Sequence, residues 1–215
     1  MDCKRCGTCC EKGGPVLHFE DRDFLQKGLV SMDNLQVIRE GELAFNPFKE
    51  LVEPTPVEMI KLAVQGDSWE CPFHQKVDGL SACQIHADRP VECRLLKCWN
   101  TRDIEAVTFK NCLTRFDLLG QKNAILPEIA RHEKECSYRV LWDAVAGVNK
   151  EDEESLLVVR DILARDLQIR QQLVADFHLN LQQELFYLGQ PMFRVVRNEE
   201  FVVSFTGEEI QLQFI

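Results

Sequence analysis

The sequence has no apolar run approaching the roughly 18 residues needed to cross a bilayer, which excludes a spanning helix. Lys4 and Arg5 stand near its start without a following apolar stretch, so no secretory signal is expected. A reducing, cytoplasmic setting follows as the expectation, and in such a setting disulfides are not the main use of thiols. Basic clusters are also missing. The 25 Lys and Arg are scattered and outnumbered by 35 Asp and Glu, and a net charge of -10 disfavours general binding to nucleic-acid phosphates. There is no phosphate loop, no dinucleotide glycine fingerprint and no radical-SAM cysteine triplet, and neither repeats nor low-complexity segments occur. No substrate class can be assigned from motifs.

Cysteine, by contrast, is abundant. A chain of 215 residues can bury a core without covalent staples, so its ten cysteines need a chemical reason. Eight fall in two blocks, Cys3, Cys6, Cys9 and Cys10, then Cys71, Cys83, Cys93 and Cys98. Cys-x-x-Cys lets two sulfurs of a tight turn face one ion, and Gly7 after the second cysteine frees backbone amides to face the sulfurs. That pattern is shared by zinc knuckles and iron-sulfur loops. Adding Cys9 gives the triple spacing of ferredoxin loops, and Cys71-Pro72 has the form of the remote fourth cysteine found there. Adjacent Cys9 and Cys10 would point about 100° apart on a helix, or to opposite faces of a strand. One of them is therefore expected to face away from the first ion, toward a second ion or the later block. Pro90 can open a helix that presents Cys93 in its first turn, and Cys98 either follows that helix or serves another purpose. All eight are candidate metal ligands, for an iron-sulfur cluster or for zinc.

The opening Cys-x-x-Cys-x-x-Cys-Cys run, Cys71-Pro72-Phe73, Cys83-Gln84-Ile85-His86, Arg89-Pro90 and Cys93-Arg94 resemble the YkgJ-type CxxCxxCC cysteine-cluster proteins over roughly residues 1 to 100. His86 stands where that family usually has Tyr. The resemblance implies zinc or iron binding through cysteine and no settled reaction.

Other residues admit two readings each. His74 and His86 lie near the cysteines, but surface or hydrogen-bonded roles are favoured over ligation because eight thiols already fill two tetrahedral sites. Arg89 and Arg94 either neutralise thiolates or form surface pairs, and Asp88 and Glu92 read as helix-start carboxylates. Cys112 reads as a buried structural thiol. His132 and Cys136 share a helix face with Glu133 adjacent, a spacing that suits a metal or nucleophile pair, yet an ordinary charged face is the favoured reading. Trp99, Phe109 and Phe116 are expected in the core.

Phe19 to Lys27 reads as a helix stopped by Gly28, Ser31 as the cap of a second ending near Gly41, and Thr55-Pro56 as the start of a third carrying Val57, Ile60 and Val64. Ala124 to Gly147 reads as one helix with Ile129, Val140, Leu141 and Val145 inward. Lys150 to Glu154 marks a turn, and the apolar stripe from Leu156 through Phe177 and Leu181 to Leu185 is one long helix or two stacked ones, packed on the domain in preference to a coiled-coil dimer. Met192 to Ile215 alternates as a small meander with turns at Asn198 and Thr206-Gly207. The expected fold is mainly α with a small C-terminal antiparallel β-meander (α+β), a cysteine-rich metal-binding region at 1–120 and a helical region at 121–215 packed as one unit. Metal binding through the two cysteine blocks leads as the expected function, with a redox role open to it if the group is an iron-sulfur cluster; a metal-dependent enzyme and a thiol-based redox sensor or metal carrier are the alternatives. A graded outcome tests the ligand assignment: Cys3→Ser, Cys6→Ser or Cys83→Ser should lose metal and soluble protein, Cys112→Ser should keep both, and metal analysis of the four purified variants reads the difference.

Overall fold

A computed structural model describes residues 5–63, 70–148, 153–196, 201–206 and 209–214. In chain order the elements are α1 (Thr8–Glu11), α2 (Arg22–Gln26), β1 (Leu35–Ile38), β2 (Leu43–Asn46), β3 (Leu51–Pro54), β4 (Met59–Leu62), β5 (His74–Val77) and β6 (Leu80–Cys83), followed by α3 (Val91–Leu95), α4 (Arg102–Glu105), α5 (Arg115–Leu119), α6 (Leu126–Glu135), α7 (Tyr138–Gly147), α8 (Glu153–Phe177), α9 (Leu181–Leu188), α10 (Met192–Val196), β7 (Phe201–Thr206) and β8 (Glu209–Phe214). The strands pair antiparallel as β1 with β4, β2 with β3, β5 with β6 and β7 with β8.

Helix dominates, as expected, but strands also run through the cysteine-bearing half. Ser31 does cap a turn, and its side chain bonds Asn34, yet after one 3-10 turn the chain extends into β1. Leu35 then faces Leu62 and Val37 faces Ile60 across the β1–β4 ladder, where a third helix was expected. The reason is packing. Met59, Ile60 and Leu62 are all buried, and a short run that is apolar on both faces has no period to distinguish strand from helix. Val64 lies outside the described residues.

The expected helix over Ala124 to Gly147 breaks at Cys136-Ser137 into α6 and α7, and the freed Cys136 carbonyl accepts Arg39 Nη2 at 2.7 Å. The later stripe forms two helices. Asn180 caps α9 through a reciprocal bond with Gln183, and His178 just before it adopts a left-handed backbone. Val159, Leu163 and Leu173 of α8 are buried against α6, α7 and the terminal hairpin, whereas Phe177 and Leu181 are exposed and leave the stripe there. Met192 to Val196 is helix, not strand, so the expected meander reduces to one hairpin in which Val203 and Ile210 are buried. Lys150 to Asp152, Asn198, Gly207 and Ile215 lie outside the described residues. Val140 is exposed while Ile129 and Leu141 are fully buried, and Trp99 and Phe116, expected inside, are 47% and 44% exposed. Among the described residues no helix is long and apolar enough to cross a membrane.

Two apolar clusters result. One gathers Leu17, Phe24, Val37, Ile60, Leu62 and Phe73 of the first half; the other gathers Leu141, Val159, Leu163, Leu173, Leu188 and Met192. Helix α9 joins them: Phe186 is buried in the first cluster and Leu188 in the second, and Tyr187 packs against both. A polar seam reinforces that join. Arg39 and Arg115 are both fully buried, and both reach Glu133 of α6, Arg39 Nε at 2.7 Å and Arg115 Nη2 at 2.6 Å. Arg115 also pairs with Glu58 at 2.5 Å and donates to the Tyr187 carbonyl. The guanidinium of Arg39 lies 4.9 Å from the centre of the Tyr138 ring. Removing one partner of such a buried set leaves charge without compensation. Glu133→Ala is therefore expected to lower the unfolding free energy by about 3 kcal/mol or more in denaturant titrations, with Glu133→Gln intermediate because its amide oxygen still accepts.

Candidate metal centre

The second cysteine block is built on a hairpin and a short helix. Cys71 precedes β5, Cys83 ends β6 opposite His74, and Cys93 sits in the first turns of α3 after Pro90. Cys98 follows the end of that helix. The first block is held against the second by the backbone. Cys71 N donates to Cys10 O at 2.7 Å, and the Glu92 carboxylate accepts Val16 N at 2.8 Å. Gly7 adopts a left-handed conformation at φ +82 and starts α1, which carries Cys9 and Cys10.

These elements enclose a cavity of about 400 Å³ lined by Cys6, Cys9, Cys10, Cys71, Cys83, Cys93 and Cys98, that is, by all the expected ligands within the described residues. Cys3 lies outside them. Cys112 and Cys136 do not line the cavity. Cys9 and Cys10, with their sulfurs 4.0 Å apart, both line this cavity, which the later block lines as well. Two thiolates on one tetrahedral zinc lie roughly 3.8 Å apart, given a Zn–S bond of about 2.3 Å. Adjacency on this single helical turn is no obstacle to sharing an ion.

Electrostatics define what the cavity lacks. Burial, then Cys9, Cys71 and Cys83, push the Cys10 thiol up to about 12. Burial raises Cys71 against the pull of the Phe73 backbone, and Cys83 and Cys9 add to the rise. Cys93 rises furthest, through burial and its neighbours Cys71, Cys10 and Cys9. Cys6 shifts the other way, lowered by hydrogen bonds from Thr8. A set of sulfurs that oppose one another's ionisation is stabilised as thiolates only by a cation among them.

His74 and His86, for which surface or hydrogen-bonded roles were favoured over ligation, also line this cavity. The His74 side chain is 1% exposed, with Nδ1 bonded to Glu70 and Nε2 buried without a partner. The His86 Nε2 is likewise buried and unpartnered, and burial together with Arg89 and Arg5 holds that ring below the ordinary histidine range. The signal available in the sequence was spacing alone: Glu70 and His74 straddle Cys71. Arg89 and Trp99 line the cavity as well, while Arg94 donates to the Arg89 carbonyl and Asp88 pairs with Lys27.

Donor chemistry fits both zinc and iron, since thiolate sulfur serves either metal and the buried, unpaired imidazole nitrogen suits them too. The family model CxxCxxCC, whose description reads "Putative zinc- or iron-chelating domain", matches residues 2–113. The chain belongs to the CxxCxxCC family. No curated protein and no solved structure is found to match it. The CxxCxxCC match ends just before α5, so α5 to β8 carry no assignment from it.

A second cluster, outside the CxxCxxCC region, brings metal-binding residue types together around a carboxylate that protein donors already pair. His132, Cys136 and Asp166 are fully buried with their donor atoms within 4.8 Å of one another, so the His132 face is not an ordinary solvated one. Asp166 is already saturated: it accepts His132 Nε2 at 2.7 Å, Arg170 Nε at 3.0 Å on both oxygens, and Met192 N at 3.0 Å. Burial outweighs the Asp166 bond and Arg39 adds to it, so His132 falls to about 4, and Asp166 is held down to about 2 by His132 and Arg170 in spite of burial. Below pH of about 6.5 the unfolded chain takes up a proton at His132 that the native state refuses until about 4, so this residue's share of stability is lost as pH falls across that window. The stability difference between the wild type and His132→Gln is expected to shrink from pH 6.5 to 4 in parallel denaturant titrations, equally with and without a chelator.

Proposed function

We propose that this protein chelates zinc or iron in the cavity between its two cysteine blocks, with Cys3, Cys6, Cys9, Cys10, Cys71, Cys83, Cys93 and Cys98 as the thiolate donors. The observation that carries the reading is the convergence of seven described cysteines on one cavity, where burial and neighbouring thiols disfavour free thiolates at Cys10, Cys71 and Cys93. Eight thiolates suffice for two tetrahedral ions or for a cluster with ligands to spare. A cavity of about 400 Å³ supports more than one ion, or an iron-sulfur cluster, over a single closed zinc knuckle. With iron and sulfide a redox role follows from the metal itself. With zinc the two blocks form a structural staple.

Because the cavity thiols must lose protons to bind, metal uptake releases protons and weakens as pH falls. Protein purified without oxygen and without a metal-chelating tag is expected to carry zinc or iron by elemental analysis, and to lose secondary structure in residues of the first half when a strong chelator removes it. Iron with inorganic sulfide and broad visible absorbance selects the cluster; stoichiometric zinc with a featureless visible spectrum selects the staple. Protein free of both metals, with stable and reactive thiols, would overturn the reading in favour of a thiol-based sensor.

A further inference from the structure

We infer that His74 supplies a nitrogen donor to the metal of the cysteine cavity, with Glu70 holding its ring, so that the donor set is mixed sulfur and nitrogen. This rests on the metal-chelating reading above and adds a residue outside the cysteine pattern.

Local structure positions the ring. His74 N donates to the Cys71 carbonyl at 2.9 Å, closing a turn, and His74 is paired with Cys83 across β5 and β6. The backbone thus ties His74 to two cysteines of the second block, and its ring lines the cavity they share with the first. Gly7 shows how close that approach is: a Cβ added there would come within 3.0 Å of His74 Nε2 and 2.1 Å of Ser81 Oγ. Only a residue without a side chain lets the Cys6-Gly7 turn close over the ring.

Chemistry then distinguishes the two ring nitrogens. Nδ1 bonds the Glu70 carboxylate, which accepts and never donates when ionised, so the proton resides on Nδ1. Nε2 is left as a lone pair, buried in the cavity wall and without a protein partner. A buried nitrogen with an unused lone pair is costly unless something fills it. A carboxylate on one nitrogen and an open lone pair on the other is the usual arrangement of a metal-ligating histidine, where the carboxylate fixes the tautomer and raises the basicity of the donor. His86 lacks this support: Arg89 and Arg5 stand near it, and positive charge opposes a bound cation.

The test uses the full chain. Cobalt(II), which replaces zinc in tetrahedral thiolate sites, is titrated into metal-free wild type, His74→Ala and Glu70→Gln, reading the d–d bands, the sulfur-to-cobalt charge-transfer band and affinity by chelator competition. His74→Ala should retain charge transfer with displaced d–d bands. Glu70→Gln should keep the wild-type bands and bind about 10- to 100-fold more weakly. Wild type labelled with 15N-histidine gives a readout independent of variant folding: on adding zinc, the Nε2 resonance that is missing from His74→Ala should move. An unmoved resonance together with unchanged d–d bands in His74→Ala overturns the nitrogen donor and leaves the thiolate site standing. Failure of the wild type to bind cobalt or zinc overturns the chelating reading itself.

Discussion

One carboxylate joins the two halves of this molecule. Glu133 on α6 receives Arg39 from the end of β1 and Arg115 from the start of α5, both guanidiniums fully buried. Neither arginine could be buried alone, because the desolvation cost of an unpaired charge far exceeds what surrounding apolar packing returns. The shared acceptor therefore sets where α6 lies against the cysteine-bearing half. From that docking follow the break after Cys136, whose free carbonyl takes a third bond from Arg39, and the seating of α9, whose Tyr187 carbonyl caps Arg115.

The molecule contains two clusters of metal-binding residue types, and hydrogen-bond accounting separates them. Around Asp166 both carboxylate oxygens are occupied by His132, Arg170 or a backbone amide and two guanidiniums stand nearby, while His132 Nδ1 is buried without a partner. The carboxylate of that cluster is fully paired as it stands. The cysteine cavity is the reverse: sulfurs crowd one another, two imidazole nitrogens lack partners, and the cavity-lining Glu92 uses its carboxylate to hold Val16 N. Like residues in like proximity thus lead to opposite chemistry, one a structural lock and the other a site that asks for a cation.

Legibility in the sequence follows how local each cause is. The stop at Gly28 and the alternation of the terminal hairpin are short-range signals, and they appear where expected; the cap at Asn180 is equally local but was not read. The Cys-x-x-Cys turn is equally local, since Gly7 and the spacing of three residues act within one loop. Strands β1 and β4 were not legible as strands, because four-residue apolar segments acquire their identity from pairing with each other. The same holds for His132, whose charged neighbours disguise a side chain fully buried by α8 contacts.

The sequence by itself determined the chemistry available: two blocks of thiols, their spacing, a family membership covering residues 2–113, and an acidic chain with no long apolar run. Tertiary structure alone decided which of those groups meet. That Cys9 and Cys10 share a cavity with the later block, that His74 turns its unpaired nitrogen into it, and that Arg39 and Arg115 converge on Glu133 across 94 and 18 residues of chain are outcomes of tertiary contacts. Spacing rules constrain neighbours a few residues apart; positions so far separated are brought together only when the whole set of buried polar groups must be paired at once.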